Sequence, residues 1–215
     1  MTILAATENY SKETILGHCP IVPVVVLDRL AQARPLAEAL LAGGIDVIEV
    51  TLRTAVGLDA IKAIADLPGM RVGAGSVLTP EHVDLVVDAG ARFVVSPGLS
   101  PAVIDRAWQL GVPALPGVAT ASDLMAAVQL DLTEVKLFPA SLLGGPAMIS
   151  ALAAPFPRMR FMPSGGVSAE TMRDYLDLPM VPAVSGSWMV DRDLLRRGRF
   201  DEVTRLSAAT VARAR

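Results

Sequence analysis

Short apolar strands alternating with amphipathic helices along nearly the whole chain predict an α/β protein, a single-domain (β/α)8 TIM barrel with an extra N-terminal helix. Three observations carry that expectation: eight strand-like runs at regular spacing, helix-start signals between them, and glycine placed just before the next strand. The length of 215 residues is close to the roughly 250 typical of such a barrel and within its lower range of about 200. Alternating strands and helices demand a parallel sheet, because each crossover returns the chain to the same end.

The eight strands are expected at Val22 to Leu27, Val47 to Leu52, Arg71 to Val77, Phe93 to Ser96, Ala114 to Leu115, Val135 to Phe138, Arg160 to Met162 and Ala183 to Ser185. Helix starts are marked by Thr79-Pro80-Glu81, Ser100-Pro101, Thr120-Ala121-Ser122-Asp123 and Ser168-Ala169-Glu170. In each a hydroxyl can cap free amides, and proline fits the first turn. Gly43-Gly44, Gly90 and Gly111 read as helix stops, where a left-handed residue ends the helix. Residues 1 to 20 read as a helical extension, with a helix over Ser11 to Leu16, and residues 21 to 215 as the catalytic barrel.

Composition excludes several classes of function. A net charge of -3 lacks the basic balance of a nucleic-acid binder. The single cysteine, Cys19, cannot form an internal disulfide, and Glu8, Lys12 and Glu13 interrupt the N-terminus before any apolar core of a signal peptide. The expected location is the cytoplasm. No apolar run approaches the roughly 18 residues of a membrane span, so no membrane partner is expected. Yet 52% of the residues are hydrophobic, and the mean hydropathy is +0.48. Sister subunits are expected to cover part of that apolar surface. Trp108 and Trp188, with Met125, Met148 and Met162, read as core or subunit contacts.

Lys136 is the residue that most needs an explanation. It lies in Glu134-Val135-Lys136-Leu137-Phe138-Pro139, a buried strand running into a loop, in a chain with only three lysines against sixteen arginines. Desolvation disfavours an ammonium, so a buried amine there is expected to have a depressed pKa and to serve as a nucleophile. The competing reading is a structural ion pair with Glu134 or another carboxylate. Strand alternation puts Glu49, Thr51 and Arg53 on one face of the second strand, and Glu134, Lys136 and Phe138 on one face of the sixth. A barrel places chemistry at the C-terminal ends of its strands, and a carboxylate, a guanidinium and an amine are expected to meet there. A buried ion-pair network that fixes register is the alternative.

Two loops suit an anion. Met162-Pro163-Ser164-Gly165-Gly166-Val167 ends the seventh strand, and Val184-Ser185-Gly186-Ser187-Trp188 ends the eighth. Barrels commonly bind phosphate in these two loops through backbone amides that glycine leaves approachable. Ser164, Gly165, Gly166, Ser185, Gly186 and Ser187 are the candidate ligands, with simple tight turns as the alternative. In Gly73-Ala74-Gly75-Ser76, Ser76 is the one polar side chain expected to face the site.

These segments resemble the 2-keto-3-deoxy-6-phosphogluconate (KDPG) and 4-hydroxy-2-oxoglutarate aldolase family. The resemblance runs from Ile21-Val22-Pro23-Val24 through Ile48-Glu49-Val50-Thr51-Leu52-Arg53-Thr54, Val72-Gly73-Ala74-Gly75-Ser76-Val77-Leu78, Ser96-Pro97-Gly98, Leu115-Pro116-Gly117 and Val135-Lys136-Leu137-Phe138-Pro139-Ala140. It ends with Pro163-Ser164-Gly165-Gly166 and Gly186-Ser187-Trp188. It implies a class I, metal-independent aldolase with a Schiff-base lysine at Lys136 and a proton-shuttling glutamate at Glu49. It also implies recognition of the pyruvate carboxylate by Arg53, lining by Pro97 and Phe138, a homotrimer, no metal or cofactor, and a place in the Entner–Doudoroff route of carbohydrate metabolism. Three positions depart from the family's usual residues: Ser76 and Ser164 stand where threonine is frequent, and Ser185 where glycine is frequent. Ser141 replaces a frequent glutamate.

The implied reaction is cleavage of KDPG to pyruvate and glyceraldehyde 3-phosphate, with 4-hydroxy-2-oxoglutarate as a second substrate. Aldolase action on the galactonate epimer is one alternative, and a non-catalytic phosphate-binding barrel is another. A metal-dependent aldolase needs an oxygen and imidazole cluster. His18 and His82 are the only histidines, and neither is expected at a strand's C-terminal end.

Overall fold

Strand and helix alternate from Ile21 onward in the computed structural model, which describes residues 14–17 and 19–214. The strands are β1 (Ile21–Val25), β2 (Val47–Thr51), β3 (Arg71–Gly75), β4 (Val94–Val95), β5 (Ala114–Leu115), β6 (Gly117–Val118), β7 (Glu134–Leu137), β8 (Arg160–Pro163) and β9 (Val184–Gly186). The helices are α1 (Ala33–Ala42), α2 (Gly57–Ile64), α3 (Pro80–Asp88), α4 (Pro101–Gln109), α5 (Ala121–Gln129), α6 (Gly145–Ala153), α7 (Met172–Leu176), α8 (Arg192–Arg196) and α9 (Phe200–Ala214). Most strands end one or two residues earlier than their sequence suggests, since the chain turns away into the loops above the sheet. At the end of β3 the cause is visible: Ser76 adopts φ +59, which no strand can continue through.

All the strand pairs are parallel, as the alternation requires. Their hydrogen bonds form a six-stranded sheet in the order β5-β4-β3-β2-β1-β9 and a three-stranded sheet in the order β6-β7-β8. The expectation of one closed eight-stranded sheet is therefore met only in part: the architecture is α/β, single-domain and parallel, but the ladder is interrupted at two seams. Both seams hold a proline, which cannot donate to a ladder. At the first, the Leu115 carbonyl accepts from the Ser96 amide of one sheet at 3.3 Å and the Pro116 carbonyl accepts from the Lys136 amide of the other at 2.9 Å. At the second, beyond Pro163, β8 and β9 are joined by the single bridge Ser164–Ser185.

Helices pack their apolar stripes on the outside of the strands. Leu36 and Leu40 of α1, Ile61 and Ile64 of α2 and Ile104 of α4 are fully buried, each such side chain contributing about 1.5–3 kcal/mol of transfer free energy. Phe93 fills the interior beside β3, where a Cβ on Gly73 would lie 2.2 Å from its ring. Three of the four expected caps form. Thr79, Ser100 and Thr120 accept from the His82, Val103 and Asp123 amides, and Asp123 completes a capping box by accepting from the Thr120 amide at 2.9 Å. Ser168 does not start a helix. Its hydroxyl accepts from the Glu170 and Thr171 amides in a turn, and α7 begins four residues later because that local bonding competes with helix formation.

Gly44, Gly90 and Gly111 have positive φ as expected of helix stops, but Gly43 does not. Its requirement is spatial: a Cβ there would come within 2.4 Å of the Ser207 Cβ and 2.8 Å of the Thr204 carbonyl on α9. Of the expected helix Ser11 to Leu16, residues 11–13 lie outside the described residues, and Thr14 to Gly17 form a bend and turn rather than a helix. No helix among the described residues is long and apolar enough to cross a membrane.

Gly117 is the tightest point of the first seam, where a Cβ would sit 2.1 Å from the Pro97 carbonyl oxygen. Gly117→Ala is expected to destabilise the protein by about 2 kcal/mol or more in urea unfolding, because backbone cannot yield cheaply. Gly98→Ala, with nothing within 4 Å of the added Cβ, should leave the midpoint nearly unchanged.

Candidate active site

Register brings Lys136 and Glu49 together from opposite sheets. In β7, Lys136 stands between Gly117 and Met162, and in β2, Glu49 stands between Val24 and Gly73. Both side chains point inward. Lys136 Nζ lies 3.2 Å from Glu49 Oε1 and 3.4 Å from Oε2, with the two residues only 4% and 1% exposed. The amine also lies 5.6 Å from the centroid of the Phe138 ring, within cation–π range. Space for the carboxylate comes from Gly75, where a Cβ would fall 2.2 Å from Oε1 and 2.7 Å from Cγ of Glu49.

Glu134 is not the partner of Lys136, although alternation places both on one face. Two residues along a strand separate them by about 6.6 Å, and the Glu134 carboxylate is occupied at the N-terminal end of β7. It accepts from the Thr14 hydroxyl and from the Ile15 and Leu16 amides at 3.0 and 3.3 Å. Arg160 Nη2 lies 3.6 Å away and donates to the Leu16 carbonyl. That polar cluster seals the bottom of the interior, while Lys136 sits toward the C-terminal end of β7 and Glu49 midway along β2.

Thr51 is fully buried and donates to the Val25 carbonyl at 2.8 Å, so its hydroxyl ties β2 to β1 rather than facing a ligand. Arg53 is exposed just beyond β2, and its Nε donates to Ser76 Oγ at 3.1 Å. Its terminal nitrogens have no partner among the described residues. Pro97 is exposed and Phe138 half-buried, each just past the end of its strand.

The two glycine-bearing loops differ in character. Ser164 is buried, its amide donating to the Leu137 carbonyl at 3.0 Å. Gly165 and Gly166 follow with φ +90 and +79, successive left-handed residues that suit a loop turning its amides outward. Ser187 is exposed at the start of a 3-10 turn, Trp188–Val190, directly after Gly186. Ser185 departs from expectation. It is completely buried, with a hydroxyl that has no hydrogen-bond partner among the described residues, so it does not open onto the cleft. Beyond the turn, Arg192 and Arg196 of α8 both donate to Asp28 after β1. Their hydrogen bonds hold the Asp28 carboxyl below the usual carboxylate range.

Ser141 gains an explanation that sequence alone did not provide. Its amide donates to the Gly165 carbonyl at 3.0 Å, and a Cβ on Gly166 would lie 1.8 Å from its hydroxyl. The Ser141 side chain fills the space a Cβ on Gly166 would need, and so backs the glycine pair. Only a long-range contact reveals this, and no local pattern signals it. His82 lies in the first turn of α3, where its Nδ1 accepts from the Leu78 amide at 3.4 Å, and His18 lies outside the described residues. Among the described residues no group of three or more His, Cys, Asp or Glu side chains is arranged to hold a metal ion.

A parallel α/β fold with a sealed amine against a carboxylate in its interior defines a class: enzymes that attack carbonyl compounds with an amine nucleophile. The family profile described as "Aldolase: KDPG and KHG aldolase" matches residues 12–206, and the chain belongs to that family. It is 45% identical over 206 residues to the KHG/KDPG aldolase of Escherichia coli (strain K12), covering 95% of this chain and 97% of that one. The 2-dehydro-3-deoxy-phosphogluconate aldolase of Dickeya dadantii is 44% identical over 205 residues, covering 95% and 96%. Among solved structures, the KDPG aldolase of Legionella pneumophila, with pyruvate captured as a covalent carbinolamine intermediate, superimposes with a TM-score of 0.87 at 40% identity, covering 90% of this chain and 94% of that one. That of Zymomonas mobilis ZM4 with 3-phosphoglycerate gives 0.85 at 40% identity, covering 90% and 91%.

The pair at the centre predicts a stability signature. Lys136→Met leaves a carboxylate sealed from water without its cation and is expected to cost about 3 kcal/mol in urea unfolding. Lys136→Met combined with Glu49→Gln should recover part of that loss, since no charge then remains buried. A double variant whose loss equals the sum of the losses in Lys136→Met and in Glu49→Gln alone would show the pair to be energetically uncoupled.

Proposed function

We propose that this chain is a class I aldolase that cleaves KDPG to pyruvate and glyceraldehyde 3-phosphate. The observation that carries the reading is the Lys136–Glu49 contact at 3.2 Å, sealed in the interior. Breaking a carbon–carbon bond beside a ketone requires an electron sink stronger than the ketone itself, and an iminium supplies it. Glu49 accepts the Lys136 ammonium proton, and the neutral amine adds to the C2 ketone to give a carbinolamine. Glu49 returns that proton to the departing hydroxyl, and loss of water leaves the iminium. Glu49, a carboxylate again, then removes the C4 hydroxyl proton. The C4 carbonyl forms, the C3–C4 bond breaks, and its electron pair moves into an enamine of pyruvate. Protonation at C3 and hydrolysis of the iminium release pyruvate and restore the amine. Positioned proton transfer of this kind contributes about 10² to 10⁴ in rate.

Arg53 takes the pyruvate carboxylate with its planar fork, steadied by Ser76. Pro97 and Phe138 line the reacting carbons. Ser164, Gly165, Gly166, Gly186 and Ser187 hold the phosphate, using remote binding energy to fix the reacting end. Ser185 serves the same loop from behind, through its backbone. Cleavage of 4-hydroxy-2-oxoglutarate at the same site is the second reading, favoured by the Escherichia coli relative, whose name couples both compounds. A solved structure described as native KDPGal, at 28% identity and a TM-score of 0.80, keeps the galactonate epimer as the competing stereochemistry.

The two sheets form the arcs of one (β/α)8 barrel, a reading supported by Pro116, whose neighbouring carbonyls face both sheets, and by the Ser164–Ser185 bridge. Residues 21–215 are its catalytic domain, preceded by the extension of residues 1–20. The protein works in the cytoplasm as a homotrimer without a metal or cofactor, and exposed Leu78, Leu85, Met125 and Leu142, the last 85% exposed, are its candidates for subunit contacts.

Borohydride reduction in the presence of pyruvate is expected to label Lys136 and nothing else, with Lys136→Met both unlabelled and inactive. Label on another residue, or turnover in that variant, would overturn imine catalysis. Ser76→Gly separates function from stability. A left-handed serine costs about 1–3 kcal/mol of backbone strain, so glycine should not lower the melting temperature. Loss of the hydroxyl that steadies Arg53 should nonetheless raise KM for the keto acid several-fold.

A further inference from the structure

The Ser187 turn is held from outside the barrel. The six-membered ring of Trp188 packs against Gly186, where a Cβ would fall 2.0 Å from Cζ3 and 2.5 Å from Cε3. No residue but glycine fits beneath it. The other edge of the indole is fixed as well, because Nε1 donates to Thr210 Oγ1 on α9 at 3.0 Å. Thr210 is itself only 5% exposed. The bond is part-buried, and losing its acceptor costs about 1 kcal/mol.

The helix at the far end of this link is immobilised in three ways. Gly43 of the α1 terminus admits α9 within a side chain's thickness, its hypothetical Cβ lying 2.4 Å from Ser207 Cβ. Thr204 Oγ1 donates to the Ala39 carbonyl at 3.0 Å. Arg173 of α7 donates through Nη1 to the Ala214 carbonyl at 3.1 Å. The helix therefore works as a fixed post, and the indole as a strut running from the post to the turn. On the near side, the Val190 amide donates to the Ser187 carbonyl at 3.0 Å, so a shift of Trp188 carries Ser187 with it.

We propose that Trp188 and Thr210 are positioning residues for the phosphate end of the substrate: α9 holds the indole, and the indole holds Gly186 and Ser187 where they meet the anion. Neither residue touches the reacting carbons, and the effect is confined to substrates that carry a terminal phosphate. The inference rests on the reading of Ser187 as a phosphate ligand given above.

The test compares KDPG with 2-keto-3-deoxygluconate, which lacks the phosphate, in Thr210→Val, Thr210→Ser, Trp188→Phe and Ser187→Ala. Thr210→Val removes the acceptor at nearly constant volume. It is expected to raise KM for KDPG about fivefold, the scale of one lost hydrogen bond, with kcat within a factor of about two and the unphosphorylated substrate unaffected. Thr210→Ser, which keeps the hydroxyl, should restore the wild-type ratio of the two substrates. Trp188→Phe keeps a ring over Gly186 without the N–H and should repeat the selective change, which covers the case in which valine disturbs α9. Equal effects on both substrates, or no effect of either substitution while Ser187→Ala still weakens KDPG selectively, would overturn the strut and leave Ser187 as a phosphate ligand. If Ser187→Ala itself shows no selectivity, the phosphate reading fails and the strut with it.

Discussion

One contact governs the rest of the molecule: a lysine and a glutamate from opposite sheets, 3.2 Å apart and almost sealed from water. Removing two charges from water costs several kcal/mol per ion, and their attraction offsets this only when the geometry is good. Apolar side chains of equal volume would fill the same space without that cost. Retaining the pair is therefore better explained by chemistry than by stability. In the proposed mechanism Glu49, 3.2 Å from Lys136 Nζ, is the proton acceptor that lets the amine attack a ketone without water entering the site.

Keeping that contact requires empty volume at defined places. Gly75 leaves room for the Glu49 carboxylate, and Gly117, the register neighbour of Lys136, lets the strand approach the Pro97 carbonyl. Prolines act at the same seams in a complementary way. Pro116 and Pro163 withhold the amides that would continue the ladder, so the chain changes partner or opens into a loop next to Gly117 and Met162, the register neighbours of Lys136. An interrupted sheet is thus the consequence of building a site at its edge. The lower end of the interior is closed differently, with Glu134 and Arg160 joined to the Thr14–Leu16 segment.

Legibility from sequence followed the range of the signal. Strand order, parallel direction and the three working caps at Thr79, Ser100 and Thr120 were readable because each depends on residues a few positions apart. Lys136 and Glu49 were readable because strand alternation and buried charge are both local observations. Alternation fixes the face but not the height, which is why Glu134 was grouped with Lys136 although it bonds the N-terminal turn. Ser168 carried the same local cue as the true caps but made a turn, a choice that tertiary packing decides. Gly43, Ser141 and Ser185 depend on partners far away in the chain: α9, the Gly165–Gly166 loop and the Ser164 bridge. No window of sequence contains those partners.

The two ends of the cleft meet different physical demands. A nucleophile must stay within a few tenths of an ångström of its target, and a strand interior supplies that rigidity through its ladder and packing. An anion site instead needs exposed amides, so it falls on glycine-bearing loops that a ladder cannot stiffen. Stiffness there has to come from outside: Ser141 behind Gly166, the Asp28–Arg192–Arg196 cluster beyond the turn, and the indole on Gly186. On the proposed reading, helices that never approach the reacting carbons have a part in catalysis, because the remote group they help to hold is the one whose binding aligns the bond to be broken.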